Sequence, residues 1–591
     1  MHTFRVWGPQ ASKLEVLVGG KKYPLNRDAD DWWSGDVQAA GPGTDYQFVI
    51  DDGNPIPDPR SQWQPYGVNG PSRLVNHAAF SWTDKHWRAR PLGSSLLYEL
   101  HIGTFTPKGT FLSAIEKLDY LVDLGVTHIE LMPIGEFSGD WGWGYDGVDL
   151  YAPHHCYGTP DDLKTLVNTC HEKGLAVLLD VVYNHLGPTG NYLSQYGPYF
   201  TDAYNTPWGS AVNLDHKGSY ETRRFFADNA LMWLRDYHID GLRLDAIHAL
   251  FDKSAVNFLE FLSCEVELLS SHTGRPFVLI AESELNDPRI VTPREANGYG
   301  IDAQWSDDFH HGIHTVLTGE LNGYYEEYGS IGQLAKSLQD VFIFDGCYSP
   351  HRDRMHGRPV EGLSAHHFLG YSQNHDQVGN RAQGERLSQL VSVGKQKIAA
   401  ALVLTSPFVP MLFQGEEFGA STPFQYFTHH EDADLGQKVS EGRRSEFKAF
   451  GWTPDQVPDP QAVSTFQNSK LRWEEIAAEP HASMLRWYKD LIALRRECSA
   501  LTDGRLWQVD VEFDEEARWL VMTRGSIQVV CNFSSKSQQI PIEVTGSQVL
   551  SSAEGWKIEG KKIQLPPESV VITRAQTAAS PTYHFAQHTA G

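Results

Sequence analysis

An α/β chain centred on a (β/α)8 barrel, with a β sandwich before it and a small β domain after it, is the fold this 591-residue sequence predicts. Three observations carry the prediction. From Leu96 onward, β-branched or Leu-rich strands alternate with amphipathic helices, the pattern of parallel βαβ units. Eight candidate strands fall in that stretch. On either side the helical period is absent, and short alternating strands broken by Gly and Pro replace it. The expected ranges are 1–92 for the front sandwich, 93–497 for the barrel and 498–591 for the C-terminal domain. A barrel of about 400 residues implies long inserted loops, because about 250 is typical; an open doubly wound sheet is the alternative.

The front segment shows apolar alternation at Phe4–Trp7, Leu14–Val18 and Tyr46–Ile50, and closes on the joint Arg88-Ala-Arg-Pro91. Its Trp32, Trp33 and Trp63 read either as sandwich core or as a flat platform for glucan. The eight barrel strands are expected at Leu96–Leu100, His128–Pro133, Ala176–Val181, Gly241–Ala246, Phe277–Glu282, Ile301–Trp305, Phe368–Asn374 and Val409–Gly415. Between the first two, Leu112, Ile115, Leu118 and Val122 recur at helical spacing and stop at Gly125. Between the next two, Thr159 caps a helix with Pro160 at its first position and Leu163, Leu166, Val167 and Cys170 on one face. Phe226, Ala230, Trp233, Leu234 and Tyr237 form the stripe of a third helix. The C-terminal strands are expected at Leu506–Phe513, Trp519–Arg524, Ile527–Phe533, Gln539–Val544 and Val570–Thr573, followed by a frayed tail from Gln576.

Lys and Arg number 49 against 74 Asp and Glu, a formal charge of −25, which argues against a sequence-independent grip on nucleic acid or anionic lipid. The N-terminus carries no signal pattern and no run of about 18 apolar residues occurs, so a cytoplasmic protein is expected. Six widely spaced cysteines fit packed thiols in a reducing compartment. The adjacent pairs His154-His155, His310-His311, His366-His367 and His429-His430 suggest metal only superficially. Neighbours on an extended strand face opposite ways, and no zinc spacing is present. Neither a catalytic metal nor a cofactor is expected. The Gly-rich Gly139–Gly144 lacks the features of a phosphate loop.

In such a barrel, chemistry sits at the C-terminal ends of the strands. Four expected strand ends carry acids: Asp180-Val-Val-Tyr-Asn-His185, Arg243-Leu-Asp245-Ala-Ile-His248, Ala281-Glu282-Ser283 and Asn374-His375-Asp376-Gln377. Glycoside cleavage needs one carboxylic acid for the leaving oxygen and one carboxylate for the oxocarbenium-like carbon. Arg243 lies two residues before Asp245, hence on the same face, and should hold it ionised as a nucleophile. Glu282 ends an apolar run and should titrate high, as a proton donor does. A buried ion pair without catalysis is the bland reading of the same residues.

Asp180 with His185, the G-x-R-x-D-A of Gly241–Ala246, Glu282 and Asn374-His375-Asp376 resemble, in order, the four motif regions of the α-amylase superfamily of retaining glycosidases. The resemblance implies Asp245 as nucleophile, Glu282 as general acid/base and Asp376 as the carboxylate that grips sugar hydroxyls. It also implies sugar contacts from Arg243, His185 and His375, with Tyr145, beside Trp143, as stacking platform. Members with a front sandwich and a C-terminal β domain act on branched or modified α-glucans.

The segments Glu282–Pro288, Asp302–His311, Asn374–Arg381 and Phe413–Phe424 are similar to the branch that hydrolyses the α-1,4 bond beside the terminal trehalose of maltooligosyltrehalose. On that resemblance Asp307, Asp308, Phe309, His310 and His311, with Gln377 and Asn380, belong to the substrate pocket. The bland reading of Asp307 or Asp308 is a helix N-cap. His248 is either a contact to the leaving sugar or a cap on the strand end. The partner is then an α-glucan oligosaccharide supplied by a maltooligosyltrehalose synthase, with no nucleic acid and no membrane involved. Rival readings are a glucan branching or debranching enzyme, distinguished by its products, and a silent glucan-binding protein, against which the presence of all three acids speaks.

Overall fold

The computed structural model describes residues 1–448, 453–542 and 546–575. Eight parallel strands close into the expected barrel in chain order. They are β1 (Leu97–Leu100), β2 (His128–Leu131), β3 (Ala176–Val181), β4 (Gly241–Leu244), β5 (Val278–Ala281), β6 (Ala303–Trp305), β7 (Phe368–Gly370) and β8 (Val409–Phe413), with β8 pairing back onto β1. Several stop short of the expected ends, because the functional residues leave the ladder for the rim.

Period-two alternation divides each strand between two cores. Leu97, Leu178, Ile280, Ala303, Trp305, Leu369, Tyr371, Val409 and Met411 form an apolar plug inside the barrel. The residues between them, such as Tyr98, Leu179, Leu242 and Leu279, join the larger core beneath the helices. Two strands give the plug no apolar side chain. In β2 and β4 the corresponding positions are Glu130 and Arg243, both buried.

The helices follow the sequence with one exception. Thr159 caps Pro160–Glu172 through a capping box, and Leu163, Leu166, Val167 and Cys170 are buried. The helix Ser219–Asp236 buries Phe226, Ala230, Trp233 and Leu234. Of the expected stripe between β1 and β2, Ile115 and Leu118 pack on the core but Leu112 and Val122 are exposed, and Phe111, Ala114, Leu121 and Leu124 face the core instead. The segment is two short helices, Phe111–Ile115 and Leu118–Leu124, so the break at Glu116-Lys117 resets the period. The second still ends at Gly125, whose φ of 104° suits only glycine.

The front segment forms two antiparallel sheets, one of His2–Trp7, Trp32–Val37 and Asn26–Arg27, the other built on Leu14–Val18 and Asp45–Ile50. They enclose Phe4, Val6, Trp33, Val16 and Phe48. Trp33 is core, its indole N–H donating to the Gly8 carbonyl at 3.0 Å. Trp32 and Trp63 are half-buried beneath the guanidinium groups of Arg5 and Arg73. Behind the barrel, a five-stranded and a three-stranded sheet share a core of Trp519, Val521, Val530, Ile540, Ile563, Leu565 and Val571. Leu506–Gln508 is a 3-10 turn, with the strand starting at Val509. The tail from Gln576, and residues 543 and 544 of the expected strand Gln539–Val544, lie outside the described residues. Cys264 and Cys347 are exposed, contrary to the expectation of packed thiols. No helix among the described residues is long and apolar enough to cross a membrane.

Candidate active site

On β4, Gly241, Arg243 and Asp245 share the inward face, and on β5 Ile280 and Glu282 do the same. Arg243 is fully buried and joins four strands' worth of chemistry. One guanidinium nitrogen donates to both oxygens of Asp180 (2.9 and 2.8 Å) and to Asp245 Oδ1 (2.7 Å). The other lies 2.9 Å from Glu282 Oε2. Its plane rests on Trp305, 4.2 Å from the ring centroid.

The two carboxyl groups beside this cation titrate in opposite directions. Burial opposes the charged form of Asp245, but Arg243, His185 and Asn184 outweigh it and hold its carboxyl below the usual carboxylate range. Asn184 donates to the Asp245 carbonyl and to Oδ2, at 2.8 Å each. For Glu282, burial outweighs Arg243 and is reinforced by the charges of Asp245, Asp376 and Asp307, pushing its carboxyl up to about 8. Glu282 Oε2 also accepts the Ala246 N–H at 2.8 Å. With Oε2 engaged twice, the proton of the neutral acid belongs on Oε1. Ala246 can make that bond because it sits at φ 39°, ψ 52°, left-handed backbone that a non-glycine residue rarely adopts.

Asp376 is the most exposed of the acids, at 34%. It opens the helix His375–Gly379, capped by Asn374 Oδ1, which accepts the Gln377 N–H at 2.8 Å. Asn380 donates to Asp376 Oδ1 at 3.2 Å. His375 is held from below: Glu99 accepts from its ring Nδ1 at 2.5 Å and from its backbone N–H at 3.0 Å. Burial favours the neutral ring, but Asp376 and Glu99 outweigh it and raise His375 to about 9. The imidazolium Nε2 therefore donates to the Tyr145 hydroxyl (2.7 Å), which donates to Asp180 Oδ2 (2.6 Å). The Tyr145 and His375 rings stack 5.0 Å apart. His185 bonds Asn184 and lies flat beneath the half-exposed Trp208, 4.2 Å away.

The structure thus brings together Asp180, His185, Arg243, Asp245, Glu282, His375, Asp376 and Tyr145. It does not bring all the others to the cleft. Trp143 is buried against Phe424 and donates to the Gln425 carbonyl, supporting Tyr145 from behind. Asp308, Phe309 and His310 point into the fold. Helix Asp307–Thr318 starts at this point, and its turn carries them into the fold. Asp308 accepts from the backbone N–H groups of Ile343 and Phe344 and from Asn286 and Tyr328. Phe309 packs on Phe408, and the His310 ring is fixed between the Ser372 carbonyl and Tyr325. Ser306 occupies the N-cap position without a side-chain bond, so neither Asp307 nor Asp308 is the cap. Asp307 instead accepts from Tyr371. The His311 ring is surrounded by Tyr324, Tyr325 and Tyr328, and its Nδ1 is buried without a partner. Gln377 accepts from Tyr325 at 3.3 Å, linking that tyrosine cluster to the Asp376 helix. His248 lies in the turn after Asp245, its Nδ1 also unpartnered, lining a 260 Å³ cavity with Tyr204, Phe251 and Asp287.

Sequence reasoning missed Glu99, Asn184, Trp305 and Trp208. Glu99 is the one acid in an otherwise apolar strand, on the same face as Leu97, so its parity was a readable signal. Trp208 had none, since the hairpin that carries it is an insertion.

An eight-stranded barrel whose rim holds an Arg-bridged nucleophile and a high-titrating acid defines a glycosidase of the α-amylase type. The alpha-amylase catalytic-domain model matches residues 78–205, and DUF3459, a domain of unknown function, matches 505–572. The chain belongs to the malto-oligosyltrehalose trehalohydrolase family within that class. It is 48% identical to the malto-oligosyltrehalose trehalohydrolase of Rhizobium sp. (strain M-11), covering 97% of each chain. It is 45% identical to that of Mycobacterium tuberculosis, covering 98% of this chain and all of the relative. A crystal structure from Salmonella typhimurium, described as an alpha amylase, superposes with a TM-score of 0.90 at 37% identity over 97% of both chains.

Proposed function

We propose that this enzyme hydrolyses the α-1,4-glucosidic bond adjoining the terminal trehalose of maltooligosyltrehalose, releasing trehalose and a shortened maltooligosaccharide with retention of configuration. The observation that carries the reaction is one buried guanidinium bridging Asp245 and Glu282, surroundings that hold the first carboxyl low and push the second up. Asp245, ionised, attacks the anomeric carbon. Glu282 Oε1 delivers its proton to the glycosidic oxygen, and trehalose leaves. Water, deprotonated by the Glu282 carboxylate, then displaces Asp245 from the glycosyl ester and restores both groups. Asp376 takes the hydroxyls of the sugar in the cleaved subsite, Tyr145, oriented by His375, stacks on its ring, and Asp180, Arg243 and His185 complete the wall.

The family membership supports the trehalose-bearing substrate. Asp307 and His311 are placed in this reading on the leaving-group side, with the His311 ring enclosed by Tyr324, Tyr325 and Tyr328. A polar group left unpaired by the wrong sugar discriminates strongly. A maltooligosyltrehalose synthase supplies the substrate, and six cysteines without disulfide partners fit a reducing, cytoplasmic setting for this chain.

The test is incubation with maltotriosyltrehalose and, separately, maltopentaose, with chromatography of the products. Rapid trehalose release from the first and little action on the second is expected. Equal cleavage of both, or new branches, would leave the acids in place and overturn the trehalose assignment. The new reducing end should appear first as the α-anomer by NMR; an initial β-anomer rejects retention.

A further inference from the structure

At the base of the loop that carries Trp143 and Tyr145, a second cluster of chemically active side chains lies outside the cleft. The loop leaves strand Gly135–Phe137 and returns along Gly147–Pro153, which pairs antiparallel with it. Just past Pro153 the chain turns into the 3-10 segment His155–Tyr157. The turn removes the strand alternation that would separate neighbours, and the rings of His154 and His155 fall 4.8 Å apart. The reading of this pair as opposite-facing fails here for that reason. One ligand atom each from His154, His155 and Cys156 lies within 4.8 Å of the other two.

We propose that His154, His155 and Cys156 form a site for a thiophilic divalent cation of the Zn²⁺ type. Two imidazoles and a thiol favour such an ion over Ca²⁺ or Mg²⁺, which take oxygen ligands. His155 Nε2 already lies 3.4 Å from Cys156 Sγ. That matches the roughly 3.4–3.7 Å between neighbouring ligands of a tetrahedral zinc. On the other edge of the same ring, Nδ1 lies 2.8 Å from Glu136 Oε1, a fully buried carboxylate. A carboxylate holding Nδ1–H fixes the tautomer that presents the Nε2 lone pair to a metal. His154 supplies the independent observation: it is completely buried, its Nδ1 lies 3.4 Å from Glu136 Oε1, and its Nε2 has no hydrogen-bond partner among the described residues. Phe137, stacked 3.7 Å away, fixes the plane of that ring. Asp140, whose Oδ1 is 3.7 Å from Cys156 Sγ, or a water takes the fourth position. Binding converts the Cys156 thiol to thiolate and releases its proton to solvent. With Asp140 as the fourth ligand the ion would tie the two sides of the Trp143–Tyr145 loop together, a structural role distinct from catalysis.

Titration of the full chain with Co²⁺, in a Cys264→Ser/Cys347→Ser background that removes the exposed thiols, reads the site without substrate. One equivalent of Co²⁺ should produce a thiolate-to-cobalt charge-transfer band, displaced by Zn²⁺, and Zn²⁺ should raise the Tm. Cys156→Ser, at a half-buried position that tolerates the change, should abolish the band; Glu136→Gln should weaken binding by about 10–100-fold. No band in the parent, or a band that persists in Cys156→Ser, overturns the proposal, whatever the enzyme does to maltotriosyltrehalose.

Discussion

Glu282 and Asp245 share one guanidinium, so the difference in their protonation comes from the rest of their surroundings. Asp245 gains Asn184 and His185, whereas Glu282 faces three further carboxylates across little solvent. The reaction needs Asp245 ionised and Glu282 protonated. Activity should therefore fall as pH rises through about 8, where Glu282 loses its proton. It should persist below the ordinary carboxylate range until Asp245 is neutralised or the fold gives way. A kcat/KM profile flat from pH 7 to 10 would contradict this assignment. Glu282→Gln should lower kcat by about 10²–10⁴-fold with native thermal unfolding, and Asp245→Ala should be at least as damaging; near-wild-type turnover in either removes it from the mechanism. These acids were legible from sequence because each ends an apolar run at the parity of its strand. Glu99 obeys the same parity and went unread, since it sits mid-strand and acts only through His375.

At the scale of elements, the turn after β4 and the start of helix Asp307–Thr318 show where periodicity informs and where it misleads. The strand parity that points Asp245 inward ends at Ala246, whose left-handed backbone aims its N–H at Glu282. A β-branched side chain there adds strain of about 1–3 kcal/mol. Ala246→Val should lose that much stability and also kcat, as the amide turns from Glu282; Ala246→Gly should keep both. Wild-type activity in Ala246→Val would mean that the amide contact does not tune the acid. At the helix start, five consecutive residues are assigned by resemblance to one pocket, but a helix sends them in different directions. Asp308 lands inside, accepting four hydrogen bonds that anchor residues 343 and 344. Asp308→Ala should destabilise by about 3 kcal/mol, cutting maltotriosyltrehalose and maltopentaose turnover alike. His311→Ala should instead impair trehalose release selectively. If Asp308→Ala unfolds like wild type while losing only trehalose release, its place is in the pocket after all. The failed stripe at Leu112 and Val122 has a similar origin, a helix break that a fixed spacing cannot detect.

Across the whole molecule, the front sandwich braces the insertion that follows β3. Arg60 reaches out of the sandwich to Asp228 and to the Tyr151 hydroxyl, at 2.9 Å each. Tyr196 donates to the Pro57 carbonyl at 2.6 Å, and Trp7 meets Tyr199 edge to face. Immediately beyond Tyr199 runs the hairpin Phe200–Val212, which holds Trp208 over His185 at the cleft. The sandwich is thus two ring contacts from His185, through packing that no local sequence pattern encodes. Gly197 is where this coupling can be tested. Its backbone is extended, so any residue fits the φ, but a Cβ there would stand 2.6 Å from the Trp7 ring. Gly197→Val should push Trp7 and the hairpin apart at a cost of about 1–3 kcal/mol. Since Asp245 and Glu282 lie on strands that do not touch Trp7, kcat should change little while KM for maltotriosyltrehalose rises with the displaced Trp208. Trp7→Ala, which removes the obstructing ring, should restore KM when combined with Gly197→Val. A Gly197→Val enzyme with unchanged KM and lowered stability would show that the sandwich steadies the barrel without shaping its cleft.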